Sequence, residues 1–327
     1  MDLPHLFIPL HRRFDAPRLA EEIDALPQSA WMAHPSRLAG NSALALISRG
    51  GEDNDDFDGP MAPTPHLLAS PYLQQVLASF GEVLGRSRLM RLEPGAEVAL
   101  HVDFNYHWVS RVRIHVPIVT EPEVLFHCAD QRVHMTAGSC WLFNAWRRHR
   151  VTHGGSRPRV HLVIDTAGSS RFWREVEEAA KAPPDSLPPL AYDPGATPVI
   201  ETERFNTAPV MAPAELDALV AELVQEFAGH PRNDPGLVGQ YRALLEDLRH
   251  DWRANWHRYG PAPAGWPAYR ALLQRVRANL HPNPRALLTA SNEIGVNPVI
   301  VQRILAPALD EARFEDLQRV LRETPQS

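Results

Sequence analysis

Cysteine is nearly absent: Cys128 and Cys140 are the only two in 327 residues. Both fall in a strand-rich stretch that needs no covalent staple, so neither a disulfide framework nor a thiolate zinc site organises this chain. They read as small buried hydrophobes. An excess of positive charge is lacking too. With 33 Lys and Arg against 39 Asp and Glu, the net charge is −6, which supplies no field for drawing in a polyanion; no nucleic-acid partner is expected. No run approaches the ~18 apolar residues of a membrane span. The opening MDLPHLFIPLHRRF has no cationic stretch ahead of its short apolar run, so a cytoplasmic chain without a membrane partner is expected. No fixed-period repeat is found, and nothing indicates a solenoid.

What is present is ordinary globular material, 44% apolar and 22% charged, in a chain long enough for two unequal domains, since single cores stop growing at roughly 250–300 residues. Prolines thicken at APPDSLPPLAYDPGATPV, residues 182–199, which reads as an extended linker. The expected domains are therefore 1–180, a Pro-rich linker over 181–205, and 206–327. Ahead of the linker, Asp15 to Leu26 and Pro71 to Leu84 carry helical apolar spacing, the second with Pro at its start. From Arg88 to Asp165 the pattern changes to short β-branched or aromatic runs, RVRIHVPIV, EVLFHC, SCWLFNA and RVHLVID, broken by Pro94-Gly95, Ala137-Gly138 and Gly154-Gly155. That spacing suggests a β-sandwich or jelly roll. Past the linker, Pro213 to Phe227, Val238 to Arg258, Tyr269 to Leu280 and Arg303 to Leu321 predict helices.

His101-Val102-Asp103 sets two metal-capable side chains at i and i+2, the same face of an extended strand. Alone, such a pair is equally a hydrogen-bonded couple at a strand end. His149 adds a third donor, enough chain later to return across a sheet. Two imidazoles and one carboxylate leave up to three positions open on an octahedral metal, which suits Fe(II) binding a chelating oxoacid together with dioxygen. Arg159 follows beyond the Gly154-Gly155 turn, on a run expected to pair antiparallel with the His149 segment. Its guanidinium could grip the far carboxylate of a diacid whose other end chelates the metal; a surface salt bridge is the plain alternative. His153 competes with His149 as ligand and is expected on the opposite face or in the turn.

The stretch from about Arg88 to Asp165, with LEPGAEVALHVDF, RVRIHVPIV, HMTAGSCWLFNAWRRH and HRVTHGGSRPRVHLVID, resembles the aspartyl/asparaginyl β-hydroxylase family of 2-oxoglutarate-dependent dioxygenases. The β domain followed by a helical tail is similar in plan to the bacterial free-proline hydroxylases of that family. The resemblance implies an all-β double-stranded β-helix (jelly roll, cupin-like) core with flanking helices, plus a C-terminal all-α domain. It implies Fe(II) at His101, Asp103 and His149, with Arg159 on the remote carboxylate of 2-oxoglutarate and His115 near that co-substrate. O2 would be the second co-substrate. Arg113 matches an arginine that meets the substrate carboxylate, and His127, on a strand read as inward-facing, matches a histidine of the proline hydroxylases. Met90 stands where the family's animal enzyme has a serine assisting the oxoglutarate, which shifts reliance to Arg159. Asp103 is a carboxylate ligand that the same enzyme lacks. The implied activity is hydroxylation of an amino acid or an amino-acid residue of a peptide, with release of succinate and CO2. Trp141 and Phe143 would serve as apolar walls.

Other readings stand beside it: a lipid acyl-chain hydroxylase, a noncatalytic cupin-like metal-binding module, a zinc hydrolase, and a helical tail that recruits a protein substrate. The acidic GGEDNDDFDGP, Gly50 to Pro60, lacks the spacing of a calcium loop and is read as solvated, with a possible pull on a substrate amino group. DWRANWHRYG, Asp251 to Gly260, reads as the edge of a helical core rather than a nucleic-acid stack.

Overall fold

The computed structural model describes residues 3–33, 39–182, 187–206 and 208–323. It divides into two compact units, the first comprising 1–103 and 110–206, the second 104–109 and 207–327.

The first unit is built on strands β1 Phe7–Arg13, β2 Met32–Ala33, β3 Asn41–Arg49, β4 Met61–Pro63, β5 Leu84–Leu92, β6 Glu97–His101, β7 Val112–Val119, β8 Val124–Cys128, β9 Gln131–Val133, β10 Ser139–Phe143, β11 His149–His153 and β12 Arg159–Thr166. A large antiparallel sheet runs β1-β10-β7-β12-β5-β3-β2 with β4 on β3, and a small one runs β6-β11-β8-β9. From β5 to β8 and from β10 to β12 the chain alternates between the sheets. This corrects one expectation: β12 does not pair with the His149 strand. It crosses into the large sheet between β7 and β5, while β11 lies between β6 and β8.

The period-2 pattern of each strand gives the large sheet two unlike faces. Ile8, Leu44, Leu89, Ile114, Val116, Leu142, Leu162 and Ile164 form one core with Leu19, Tyr72, Leu73 and Phe172. The last four come from helices Ala16–Asp24, Pro71–Ser79 and Ser170–Lys181, so helices cover this face. Each large aliphatic side chain withdrawn there contributes about 1.5–3 kcal/mol. The other face meets the small sheet, with Leu92 and Phe143 packed against Val124, Phe126, Cys128 and Val151. Both cysteines are buried thiols.

Three local readings change. The helix expected to reach Leu84 stops at Ser79, and Gly81, at φ +58°, turns the chain so that Leu84 opens β5. Ahead of that helix, where only Asp15 to Leu26 is expected to be regular, the chain also supplies β1 to β4, because β3, buried along nearly its whole length, lacks the alternation that marks a half-exposed strand. The Pro-rich stretch is not a free linker. Leu190 N–H donates to the Arg13 carbonyl at 2.9 Å, and Arg111 grips Glu203 with two bonds of 2.8 and 2.9 Å, so 187–206 belong to the first unit. Pro183 to Ser186 of that stretch lie outside the described residues.

The second unit contains helices Pro213–Ala228, Pro235–Tyr259, Trp266–Ala278 and Ala312–Glu323. The continuous helix expected over Arg303 to Leu321 is interrupted. A π-helical turn, Ile300–Leu305, leads into Pro307, and extended Leu309 bridges to Val210. Trp252 of the aromatic and basic segment is fully buried against Tyr269, ring centroids 4.4 Å apart; the core reading holds. Residues 104–109, directly after Asp103, pack within this unit: Tyr106 Oη donates to Glu215, and Arg303 donates to the Phe104 carbonyl at 3.3 Å. Among the described residues no helix is long and apolar enough to cross a membrane.

Candidate metal centre

His101 ends β6 and lies directly across from His149, the first residue of β11. Their rings are 4.1 Å apart between centroids. Asp103 follows two residues past His101, its N–H tied to the Ala145 carbonyl at 3.0 Å. One ligand atom from each of the three lies within 4.8 Å of the others, so the three predicted donors converge. The His101 Nδ1 sits 2.7 Å from the Ala99 carbonyl, and the His149 Nδ1 2.9 Å from the Arg147 carbonyl. A carbonyl only accepts, so each Nδ1 carries the proton and each Nε2 keeps its lone pair for a metal. Burial, only partly offset by Asp103, pushes the His149 pKa down to about 4, which keeps the ring neutral as ligation requires. The donor set fits a divalent ion.

His153 shares the His149 face, because four residues along a strand restore the direction of the side chain. It is no competitor. Its Nε2 donates to the Arg157 carbonyl at 2.8 Å while Nδ1 accepts from Gly155 at 3.1 Å, so it fastens the β11–β12 turn.

Arg159, His161, Val163 and Asp165 alternate along β12 toward the small sheet. Across from them stand Met90 and Arg88 on β5 and Pro117, His115 and Arg113 on β7. Arg159 is 4% exposed and lies 5.0 Å over the Phe126 ring; among the described residues no carboxylate pairs with it. Burial alone pushes its pKa down to about 9, yet it stays charged at neutral pH. From Phe126 the aromatic contacts lead to Phe143, 6.2 Å away between centroids, and from there to His149 at 4.8 Å. Arg159 and the metal donors thus border one interior, walled by the expected Phe143. His115 packs between Phe126 and Phe143 at 5.4 and 5.2 Å. Burial, reinforced by Arg159 and Arg113, drives its pKa well below 6.5.

Arg113 is committed to carboxylates. It donates to Asp165 at 3.2 Å and stands 3.6 Å from Asp103. Burial alone would lower its pKa, but Asp165 and Asp103 outweigh that and raise it. Arg86 reaches Asp165 at 3.6 Å and Asp55 at 2.9 Å, and Arg88 also pairs with Asp55. The loop read as solvated therefore sends one carboxylate inward as a counter-ion. The reading of the acidic segment is corrected at Asp55, where two buried guanidiniums outcompete water.

His127 is a correction of another kind. Phe126 and Cys128 on β8 are buried, so the intervening His127 faces out, bonded to Thr152 Oγ1 at 3.1 Å and opposite exposed Arg150. It lines no part of the interior. Arg86, Arg88, Asp165 and His161 escaped the sequence reading. Part of the signal was present in RSRLMRL and RVHLVID, where Arg86 and Arg88, and Arg159, His161 and Asp165, fall in one phase of the strand, but period alone does not say which face turns inward.

Residues 44–168 match the Aspartyl/Asparaginyl beta-hydroxylase family, a segment that contains His101, Asp103, His149 and Arg159. L-proline cis-3-hydroxylase 1 of Streptomyces sp is 30% identical over 165 residues, covering 48% of this chain and 53% of that protein. The chain thus spans about half the length of this curated relative. Among solved structures, a 2OG-Fe(II) oxygenase family oxidoreductase of Burkholderia pseudomallei is similar at 12% identity and TM-score 0.34, over 47% of this chain and 78% of the other. The non-heme alpha ketoglutarate dependent epimerase SnoN of nogalamycin biosynthesis is similar at 14% and 0.36, over 61% and 91%. Likeness at that level bears no weight on function.

Proposed function

We propose that this chain is an Fe(II)- and 2-oxoglutarate-dependent dioxygenase that hydroxylates an amino acid, free or within a peptide, releasing succinate and CO2 on a jelly-roll core. The observation that carries this reading is the buried, uncompensated guanidinium of Arg159 on the same interior as three converging metal donors. A zinc hydrolase would have no use for it. The surrounding charges agree: Arg86, Arg88 and Arg113 pair with Asp55, Asp103 and Asp165, which leaves the Arg159 guanidinium over Phe126 as positive charge beyond that balance. A divalent metal adds more positive charge, and a dianion such as 2-oxoglutarate would offset it.

Bound iron would supply the activation of dioxygen. His101, Asp103 and His149 would hold it, and Arg113 would fix the Asp103 carboxylate from behind, as groups around a ligand commonly do. Arg113, which meets Asp165 and Asp103, would in that way support the metal carboxylate, beside the substrate-carboxylate role that the resemblance implies for it. Arg159 would grip the remote carboxylate of the co-substrate, His115 would border it, and Phe126 and Phe143 would exclude water. The Streptomyces relative is named an L-proline cis-3-hydroxylase, so free proline is the first substrate to try.

The test is anaerobic titration with Fe(II) and then 2-oxoglutarate, followed by aerobic assay of succinate with each of the twenty amino acids. A weak visible charge-transfer band that needs both additions, and is lost in Asp103→Ala and Arg159→Leu, is expected. Absence of the band, with no amino acid stimulating succinate release, would falsify the proposal.

A further inference from the structure

The inward face of the large sheet holds an imidazole that the metal site does not use. His161 stands two residues beyond Arg159 on β12, directly across from Met90 on β5 and Pro117 on β7. Neither neighbour offers a side-chain donor, a thioether being at best a weak acceptor. His161 is fully buried, and among the described residues neither of its ring nitrogens has a hydrogen-bond partner. Its ring stacks on Phe126, centroids 5.3 Å apart and planes 17° off parallel. The Arg159 guanidinium lies over that same Phe126 ring, so the two side chains share one aromatic platform.

A buried imidazole with both nitrogens unmet destabilises the fold, and a phenyl ring of similar size would fill the space without that penalty. Its ring nitrogens are therefore placed to meet the polar atoms of a bound ligand. Burial, together with Arg159 and His115, holds its pKa well below 6.5; the ring is neutral, with one N–H to give. Arg159 brings its planar fork to the same place. A carboxylate has about four lone-pair sites, of which a bidentate guanidinium occupies two.

We propose that His161 is a binding residue for the distal carboxylate of 2-oxoglutarate, donating one ring N–H to the group that Arg159 grips. This rests on the oxoglutarate reading of Arg159. His115 sits one register row nearer Arg113 and Asp165, its ring 5.8 Å from that of His161.

The test measures binding rather than turnover. Zinc-loaded wild type, His161→Phe and His161→Gln are titrated calorimetrically with 2-oxoglutarate, and the metal-free proteins are melted. His161→Phe should raise the 2-oxoglutarate Kd roughly 10- to 100-fold, the worth of one hydrogen bond to a charged group. His161→Gln, which keeps an N–H, should stay within a few-fold of wild type. Zinc affinity should be unchanged in both, and metal-free His161→Phe should melt at or above wild type. A merely structural histidine predicts the reverse: unchanged Kd and a lower melting temperature, which would overturn the proposal. Should the Phe variant not fold, ring-nitrogen NMR of zinc-loaded wild type decides. Addition of 2-oxoglutarate should shift a histidine N–H resonance that His161→Gln lacks, and no such shift sinks the inference. If wild type itself does not bind 2-oxoglutarate, the oxoglutarate reading fails and this one with it; normal wild-type binding with normal His161→Phe binding removes only the role of His161.

Discussion

At the scale of residues, the proposed metal donors are prepared by their own backbone. His101 and His149 each give the Nδ1 proton to a carbonyl two residues upstream, so the tautomer is set without an ion. Asp103 is held from the other side by Arg113. That arginine is in turn balanced by Asp165, and Asp165 and Asp55 share Arg86. A charge on a surface loop is thereby linked to Asp103, the proposed metal carboxylate, through alternating signs. Asp55→Asn leaves Arg88, 4% exposed at its side chain, without its counter-ion. Removing one partner of a fully buried pair costs about 3–5 kcal/mol, and an exposed pair is worth at most ~1. Asp55 is 24% exposed, so a loss of roughly 2–3 kcal/mol in urea unfolding is expected. A loss within experimental error would mean that Arg88 finds water as readily as Asp55.

At the scale of elements, the β11–β12 turn decides where Arg159 points. Glu121, at the β7–β8 turn, accepts from the amides of Ser156 at 2.6 Å and Arg157 at 2.9 Å, and those backbone bonds are the main reason its pKa is lowered. The carboxylate fits because Gly155 has no side chain; a Cβ there would collide with Glu121 Oε2. Gly155→Ala should therefore expel the carboxylate, loosen the turn and weaken 2-oxoglutarate binding several-fold, with metal affinity retained because His149 lies at the opposite end of β11. Calorimetry of the metal-loaded variant checks this. Equal weakening toward metal and 2-oxoglutarate would show that the turn supports the whole small sheet instead.

At the scale of the first unit, three imidazoles are kept neutral in the interior. Burial lowers the pKa of His115 and His161 well below 6.5 and that of His149 to about 4. Below pH 6.5 the unfolded chain takes up protons that the folded chain refuses, so stability is complete above that value and falls as pH drops toward 4. Each group contributes a slope of about 1.4 kcal/mol per pH unit in that window. The metal-free protein should lose stability steeply between pH 6.5 and 4. His161→Phe should flatten the curve, and urea midpoints measured across that range test it. A flat profile would mean that water or structural change relieves the buried rings.

Sequence alone determined the chemistry available: the two imidazoles and carboxylate, the arginine beyond the turn, and three of the four C-terminal helices to within a few residues. It did so because ligand chemistry and 3.6-residue apolar spacing belong to local runs of chain. Tertiary structure decided everything that depends on which face turns inward and what waits there. It sent β12 into the other sheet from β11, turned His127 outward, gave Arg113 two carboxylates, drew Asp55 in to two arginines, and left His161 with none to meet it. A two-residue period fixes how neighbours on a strand alternate, but the inward direction and the opposing partners arise only when distant segments pack.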